Sequence, residues 1–410
     1  MRSTAIPVIA LLALALTACS SPSTPTTAST ASDEKPFDFV YIGGITGALA
    51  SITAQEIVAL NTAVDRINDG GGILGRKVVM ETLDSKSDPT EAVTVLQKRI
   101  SSGDKPDLVR AGLGTNDALA LVPAATRAGI ASYTSSSAPQ LDDPKAYPYN
   151  IGISATFLRQ VEMGRTYMEY KKYDHIAVLA SEDAAGESAV DAIDTVYKGS
   201  SIKVDIFRYN PADLDLSVAY QRASAGKPDA IYANCLGAPC NRLVTARESV
   251  AGGTDIPMFG DISMAGSAGG PAAGAPASAI KNLHVLMWDD MLKHPASEQT
   301  EEFKAFYDGM SKSGTPTSTS APGIAYDGLM MFAAAAKHAK STDPAKMVQA
   351  IRDIKWPAGA FVTYGKAKLD YTEKSAFPTL PDDAFAVVQV APLEGGQYPP
   401  VDVFQPKVKK

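Results

Sequence analysis

The sequence predicts an α/β protein built as two doubly wound, parallel-sheet lobes joined by hinge crossovers. Three observations carry this expectation. From residue 37 onward, short apolar runs alternate with segments of helical periodicity. The alternation completes one set near residue 134 and begins a second at His175. A third α/β stretch, after residue 283, is too short for a domain of its own, so the chain must return to complete the earlier lobes.

The first set opens with an apolar strand over residues 37 to 44, ending in a Gly pair. Thr53 and Glu56 have capping-box spacing, and Ile57, Leu60, Val64 and Ile67 follow at helical intervals until Gly70 to Gly72 stop the helix. A second strand covers 77 to 83. Asp88 and Pro89 then open a helix as N-cap and first residue, with Val93, Leu96 and Ile100 on its apolar face. A strand at 108 to 113, a helix at 118 to 127 and a strand at 130 to 134 complete this set. The second set has strands at 175 to 180, 202 to 207, 230 to 233 and 256 to 259, with helices at 186 to 197, near Ala219 and at 242 to 250. A Gly/Ala/Pro-rich loop spans 265 to 279. The last stretch reads as a strand at 283 to 287, helices at 298 to 310, 326 to 340 and 344 to 354, and short strands near Phe361 and at 385 to 390. Parallel strands alternating with helices require right-handed crossovers that cover both faces of a sheet.

The N-terminus has a different character. Arg2, an apolar run from Ile6 to Leu16 and small residues before Cys19 form an export signal, covering residues 1 to 19. The run is shorter than the ~20 residues a spanning helix needs. Leu16-Thr17-Ala18-Cys19 resembles the bacterial lipobox, which implies lipidation of Cys19 and attachment to the outer face of the cell membrane. Residues 20 to 36 are rich in Ser, Thr, Pro and Ala, too polar to fold, and read as a tether. With Cys19 lipidated, Cys235 and Cys240 remain, and an exported protein favours a disulfide between them.

Composition and motifs exclude several functions. A net charge of −7 without a long basic run argues against nucleic acid. His175, His284, His294 and His338 have no metal-ligand spacing, and no Gly-x-Ser-x-Gly elbow is present. Gly70 to Lys77 fails as a phosphate loop because Arg76 and Lys77 follow Gly75, where Lys-Ser/Thr is required. Gly112-Leu113-Gly114 is half of a dinucleotide fingerprint. No catalytic constellation, cofactor or metal is expected. Ligands of open α/β sheets bind beyond the C-terminal strand ends. There Thr115 and Asn116 precede a helix, whose N-terminus favours an anion such as a carboxylate. Ser135, Ser136 and Ser137 follow the next strand.

Several stretches together resemble the leucine/isoleucine/valine-binding protein family. They are residues 43 to 50, Ile67-Asn-Asp-Gly-Gly-Gly-Ile-Leu-Gly-Arg-Lys77, Asp84-Ser-Lys-Ser-Asp-Pro89, 133 to 141 and Ile324-Ala-Tyr-Asp-Gly328. The resemblance implies the type I periplasmic-binding-protein fold and lobes of 37–153 with 284–383 and 154–283 with 384–410. It also implies delivery of a small solute to the permease and ATPase subunits of an ABC transporter, and a branched-chain amino acid as the family's usual ligand. Thr115 matches the family's carboxylate-binding hydroxyl. Ser135 and Ser137 match the positions that flank the ligand's carboxylate and ammonium. The sequence departs from the family where aromatic residues are usual, at Ile52, Ala185 and Cys235. Asp261 falls near the acidic position that pairs with an ammonium. These departures admit an aromatic or aliphatic organic acid as ligand, and the same fold also serves ligand sensors.

Overall fold

The computed structural model describes residues 35–408, apart from 104, 268, 269, 271 and 272. The export signal, Cys19 and the tether up to residue 34 lie outside the described residues. The first lobe begins with β1 (Phe37–Gly43), α1 (Ala50–Asp69), β2 (Val78–Asp84), α2 (Pro89–Ser101), β3 (Leu108–Ala111), α3 (Thr115–Arg127), β4 (Ala131–Thr134) and β5 (Asn150–Gly152). Its five strands lie in the order β2-β1-β3-β4-β5, all parallel. The chain then builds α4 (Phe157–Lys171), β6 (His175–Ser181), α5 (Ala184–Tyr197), β7 (Lys203–Tyr209), α6 (Ser217–Ala225), β8 (Ala230–Ala233), α7 (Ala238–Ser249), β9 (Met258–Gly260), α8 (Ile262–Ala265) and β10 (Leu283–Trp288). It returns with α9 (Glu301–Ser311), α10 (Ser320–Ala339) and α11 (Pro344–Asp353), and ends on β11 (Phe385–Gln389). The second sheet runs β11-β10-β9-β8-β6-β7, with β11 antiparallel to β10.

The central strands β3, β4 and β8 are buried at every residue, as expected for parallel strands covered by helices on both faces. One charged residue interrupts these strands: Arg110, within β3, is fully buried. Helix α1 buries Ile52, Ala59, Leu60, Ala63 and Ile67, and packs along α10. α10 is buried along most of its length because it lies between α1, α11 and the first sheet. Gly328 lets it approach that sheet, since a Cβ there would meet the Tyr133 ring at 2.2 Å.

Three sequence expectations need correction. Thr53 and Glu56 do not form a capping box. Helix α1 starts at Ala50, and both residues are buried within it. The second crossing to the first lobe comes after Trp288 and not at 284, because β10 hydrogen-bonds to β9 and β11 of the second sheet. No strand forms near Phe361 among the described residues; that segment caps Asp327, whose carboxylate accepts the Val362 and Thr363 backbone N–H groups. Helix α4 had no counterpart in the sequence reading, because Gly164, Gln160 and two Tyr residues dilute its apolar stripe.

Candidate functional site

The C-terminal ends of β3 and β4 face those of β6, β8 and β9 across a cleft. Gly112 makes the turn out of β3 possible: its φ is +71°, and a Cβ would collide with the Asp117 side chain at 2.5 Å. The chain then enters α3 with Gly114 at the N-cap and no side chain capping the helix. The first N–H groups of this 13-residue helix therefore stay free beside the cleft. A helix end in this state attracts negative charge.

Two adjoining cavities occupy the cleft, of about 60 and 280 Å³, and they share Gly114, Thr115, Phe157, Leu236 and Ser263. Ile52, Thr115, Ser135, Ser136 and Ser137 line the smaller one. Thr115 also lines the larger, with Asn116, Ala185 and Cys235. These eight predicted positions thus come together. Hydrogen bonding distinguishes their capacities. The Ser136 hydroxyl accepts from the Ala138 N–H at 3.2 Å and donates to Thr115 Oγ1 at 3.2 Å. Thr115 accepts in that bond, so its own proton is left to point elsewhere. Ser137 Oγ accepts from Gln160 Nε2 at 2.7 Å, and its carbonyl accepts from the Phe157 N–H at 2.8 Å. Ser137 is thereby fixed to α4 at the first crossing between lobes.

Asp261 does not join this set. It is fully buried, lines neither cavity and caps α8, its Oδ1 accepting from the Met264 N–H at 3.1 Å. Its Oδ2 accepts from Asn234 Nδ2 at 2.6 Å. Burial raises its carboxyl to about 6, partly countered by the Asn234 hydrogen bond. No Lys, Arg or His lines either cavity, and the carboxylates that do are Asp117 and Asp183 in the larger one. Asp183 caps α5 through the Gly186 N–H at 2.9 Å. Cys235 and Cys240 are joined by a disulfide with Cα atoms 5.3 Å apart, closing the loop that leads into α7.

Sequence reasoning missed Phe157, Gln160, Asn234 and Leu236. The first two sit on the unanticipated α4. Asn234 and Leu236 flank Cys235 just beyond β8, where the strand-end rule could have found them. Leu236 packs against Leu49, Ile52, Leu113 and Ala321, a small apolar cluster that spans the two lobes.

Residues 39–390 match the periplasmic binding protein family. A Leu/Ile/Val-binding protein of Rhizobium johnstonii is 27% identical over 194 residues, 47% of this chain and 52% of that protein. The chain thus spans about half the length of that relative. A Leu/Ile/Val/Thr-binding protein of Salmonella typhimurium is 25% identical over 59% of this chain and 67% of its own length. Among solved structures, the branched-chain amino acid transporter substrate-binding protein LivJ of Streptococcus pneumoniae, in complex with isoleucine, superposes with a TM-score of 0.73. It has 19% identity and covers 91% of this chain and all of its own. A solute-binding protein of an ABC transporter from R. palustris, in complex with benzoate, gives 0.74 with 17% identity, covering 91% and 97%. With two parallel-sheet lobes, a cleft at their strand ends and a family match over most of its length, this chain belongs to the periplasmic binding protein family.

Proposed function

We propose that this protein is an exported receptor for a small carboxylate-bearing solute, which it delivers to an ABC importer by lobe closure. It binds and does not catalyse. The uncapped N-terminus of α3, meeting the Thr115 hydroxyl and the Ser135 to Ser137 loop in one cleft, carries this reading. Free N–H groups, a helix dipole and hydroxyls are what a carboxylate needs when no cationic side chain is present. Lipidation at Cys19 would hold the receptor on the outer membrane face, with residues 20 to 36 as its tether. No described helix is long and apolar enough to cross a membrane.

A branched-chain amino acid is the ligand suggested by the named relatives. One observation favours an organic acid without an amino group: Asp261 is enclosed and has both carboxylate oxygens engaged, so it is not free to neutralise an ammonium. In the smaller cavity, which no carboxylate lines, an ammonium would be buried without a counter-charge, and that is costly. Isothermal titration of the protein, purified without refolding, against leucine, isoleucine, valine, benzoate and 4-hydroxybenzoate tests both readings. Binding of an acid but no amino acid supports the organic-acid form, and binding of leucine or valine alone sinks it. Binding of none of the five removes the carboxylate reading.

A further inference from the structure

Directly beneath the serine loop lies a charged network that no ligand contact requires. Arg110 and Glu56 are both wholly buried and form an ion pair at 2.7 Å. The other oxygen of Glu56 accepts from the Tyr41 hydroxyl at 2.6 Å, and the guanidinium lies over the Tyr133 ring, 5.4 Å from its centroid. Taking two charges out of water costs more than such a pair regularly returns, so stability alone is a weak reason for it. Arg110 Nε, buried without an acceptor among the protein atoms, adds to that cost.

The remaining guanidinium bonds show what the pair does. Nη1 donates to the carbonyl of Gly112, on the loop leading into α3. Nη2 donates to Ser135 Oγ at 3.0 Å, on the loop after β4. Because the Ser135 hydroxyl accepts from Arg110, its single proton goes to the Leu113 carbonyl at 2.7 Å, back on the first loop. Ser135 has thus no hydroxyl proton left for a ligand. Its side chain ties one loop to the other, and Arg110 grips both.

We infer that Arg110, held by Glu56, and Ser135 are positioning residues that lock the β3–α3 loop and the β4 loop into one arrangement, so that the Thr115 hydroxyl, oriented by Ser136, and the free N–H groups of α3 converge on a single carboxylate. The ligand part of this inference rests on the carboxylate reading above; the locking of the loops does not. Hydrogen exchange on the ligand-free full chain tests the locking. In Ser135→Ala, the hydrogen-bonded amides of Gly112 and Ala118 around the first loop and of Ser136 and Ala138 on the second should all exchange at least ten-fold faster, while α1 and β1 keep their wild-type rates. Acceleration confined to 135 to 138, none at all, or a uniform rise overturns it. Titration with benzoate and leucine tests the consequence, with benzamide and leucinamide as analogues in which an uncharged amide replaces the carboxylate. Ser135→Ala should weaken the carboxylate that the wild type binds about ten-fold and reduce its preference over the amide, and Ser135→Thr should restore both. Unchanged affinity and preference in Ser135→Ala overturn the positioning role. The double variant Arg110→Met with Glu56→Gln removes the pair without orphaning a charge, and should reproduce the exchange result. Should the wild type bind neither acid, the carboxylate reading fails while the exchange measurement still decides the locking.

Discussion

Asn116 Nδ2 donates to Asp183 Oδ2 at 3.1 Å, joining the first turn of α3 in one lobe to the N-cap of α5 in the other. Ser188 Oγ, which donates to the Ala184 carbonyl at 2.8 Å, lies 3.2 Å from Gln140 Oε1 across the same gap. Across the cleft the lobes thus meet through these polar contacts and the apolar contact of Leu236, a balance that a ligand can tip.

Asn116→Ala should leave the Tm of the ligand-free protein within about 1 °C of wild type but speed ligand dissociation several-fold. One hydrogen bond to a charged group contributes roughly 1.5–3 kcal/mol at most, and less where water competes. Stopped-flow release kinetics measure this. A change in association rate with dissociation untouched contradicts a closing role for the bond.

Thr115→Val removes the hydroxyl proton left free by the Ser136 contact and keeps the side chain's shape. Affinity for the bound carboxylate should fall ten-fold or more, matching the loss of roughly 1.5–3 kcal/mol expected for a hydrogen bond to an ion. Calorimetric titration gives the ratio, and equal affinity of the two proteins would remove Thr115 from the site.

Buried carboxyls, Asp261 and Asp327 among them, give the protein a pH signature. Burial raises Asp261 to about 6 and Asp327 to about 7, from an ordinary value of 3.8. Both hold their proton more tightly folded than unfolded, so their contribution to stability is complete below the unfolded value and is lost as pH rises through the folded one. Tm should decline as pH is raised from about 4 to about 7 on this account. Asp327→Asn should flatten that decline, because a neutral amide at this position has no proton to lose. Scanning calorimetry across the window checks it, and parallel slopes for variant and wild type would show that Asp327 does not titrate there.

The Cys235–Cys240 bond closes a short loop on the wall of the larger cavity. Replacing both cysteines with serine should cost about 2 kcal/mol, as expected for a loop of this size. It should also weaken ligand binding, because Leu236 lies inside the closed loop and packs across the cleft. Urea unfolding together with titration separates the two effects; full stability with wild-type affinity would make the bond dispensable to both.

Much of this molecule can be read directly from the order of its residues. The alternation of apolar runs and helical periods placed ten of the strands near their observed positions, because a parallel strand covered on both faces is mostly apolar. Asp88 before Pro89 marked the start of α2, and Asp88 does accept from the Thr90 and Glu91 N–H groups. The strand-end rule points to Thr115 and the serine loop from the sequence alone. What resisted reading was the part with no local signature. Helix α4 carries its polar Gln160 inward because Ser137 and the Ala155 carbonyl await it across the crossing. Glu56 read as a capping residue because its partner, Arg110, is 54 residues away.

The sequence by itself determined the two α/β sets, the strand-end loops and the polar chemistry of those loops, since each depends on neighbours along the chain. Tertiary structure decided which lobe received β10, where Asp261 would point and which hydroxyl kept a free proton. These outcomes depend on hydrogen bonds between groups far apart in the chain, made under the rule that a buried donor or acceptor must find a partner. Asp261 turned to Asn234 and α8, away from the cleft, and Ser135 turned to Arg110 and Leu113. Neither choice is encoded next to the residue that makes it.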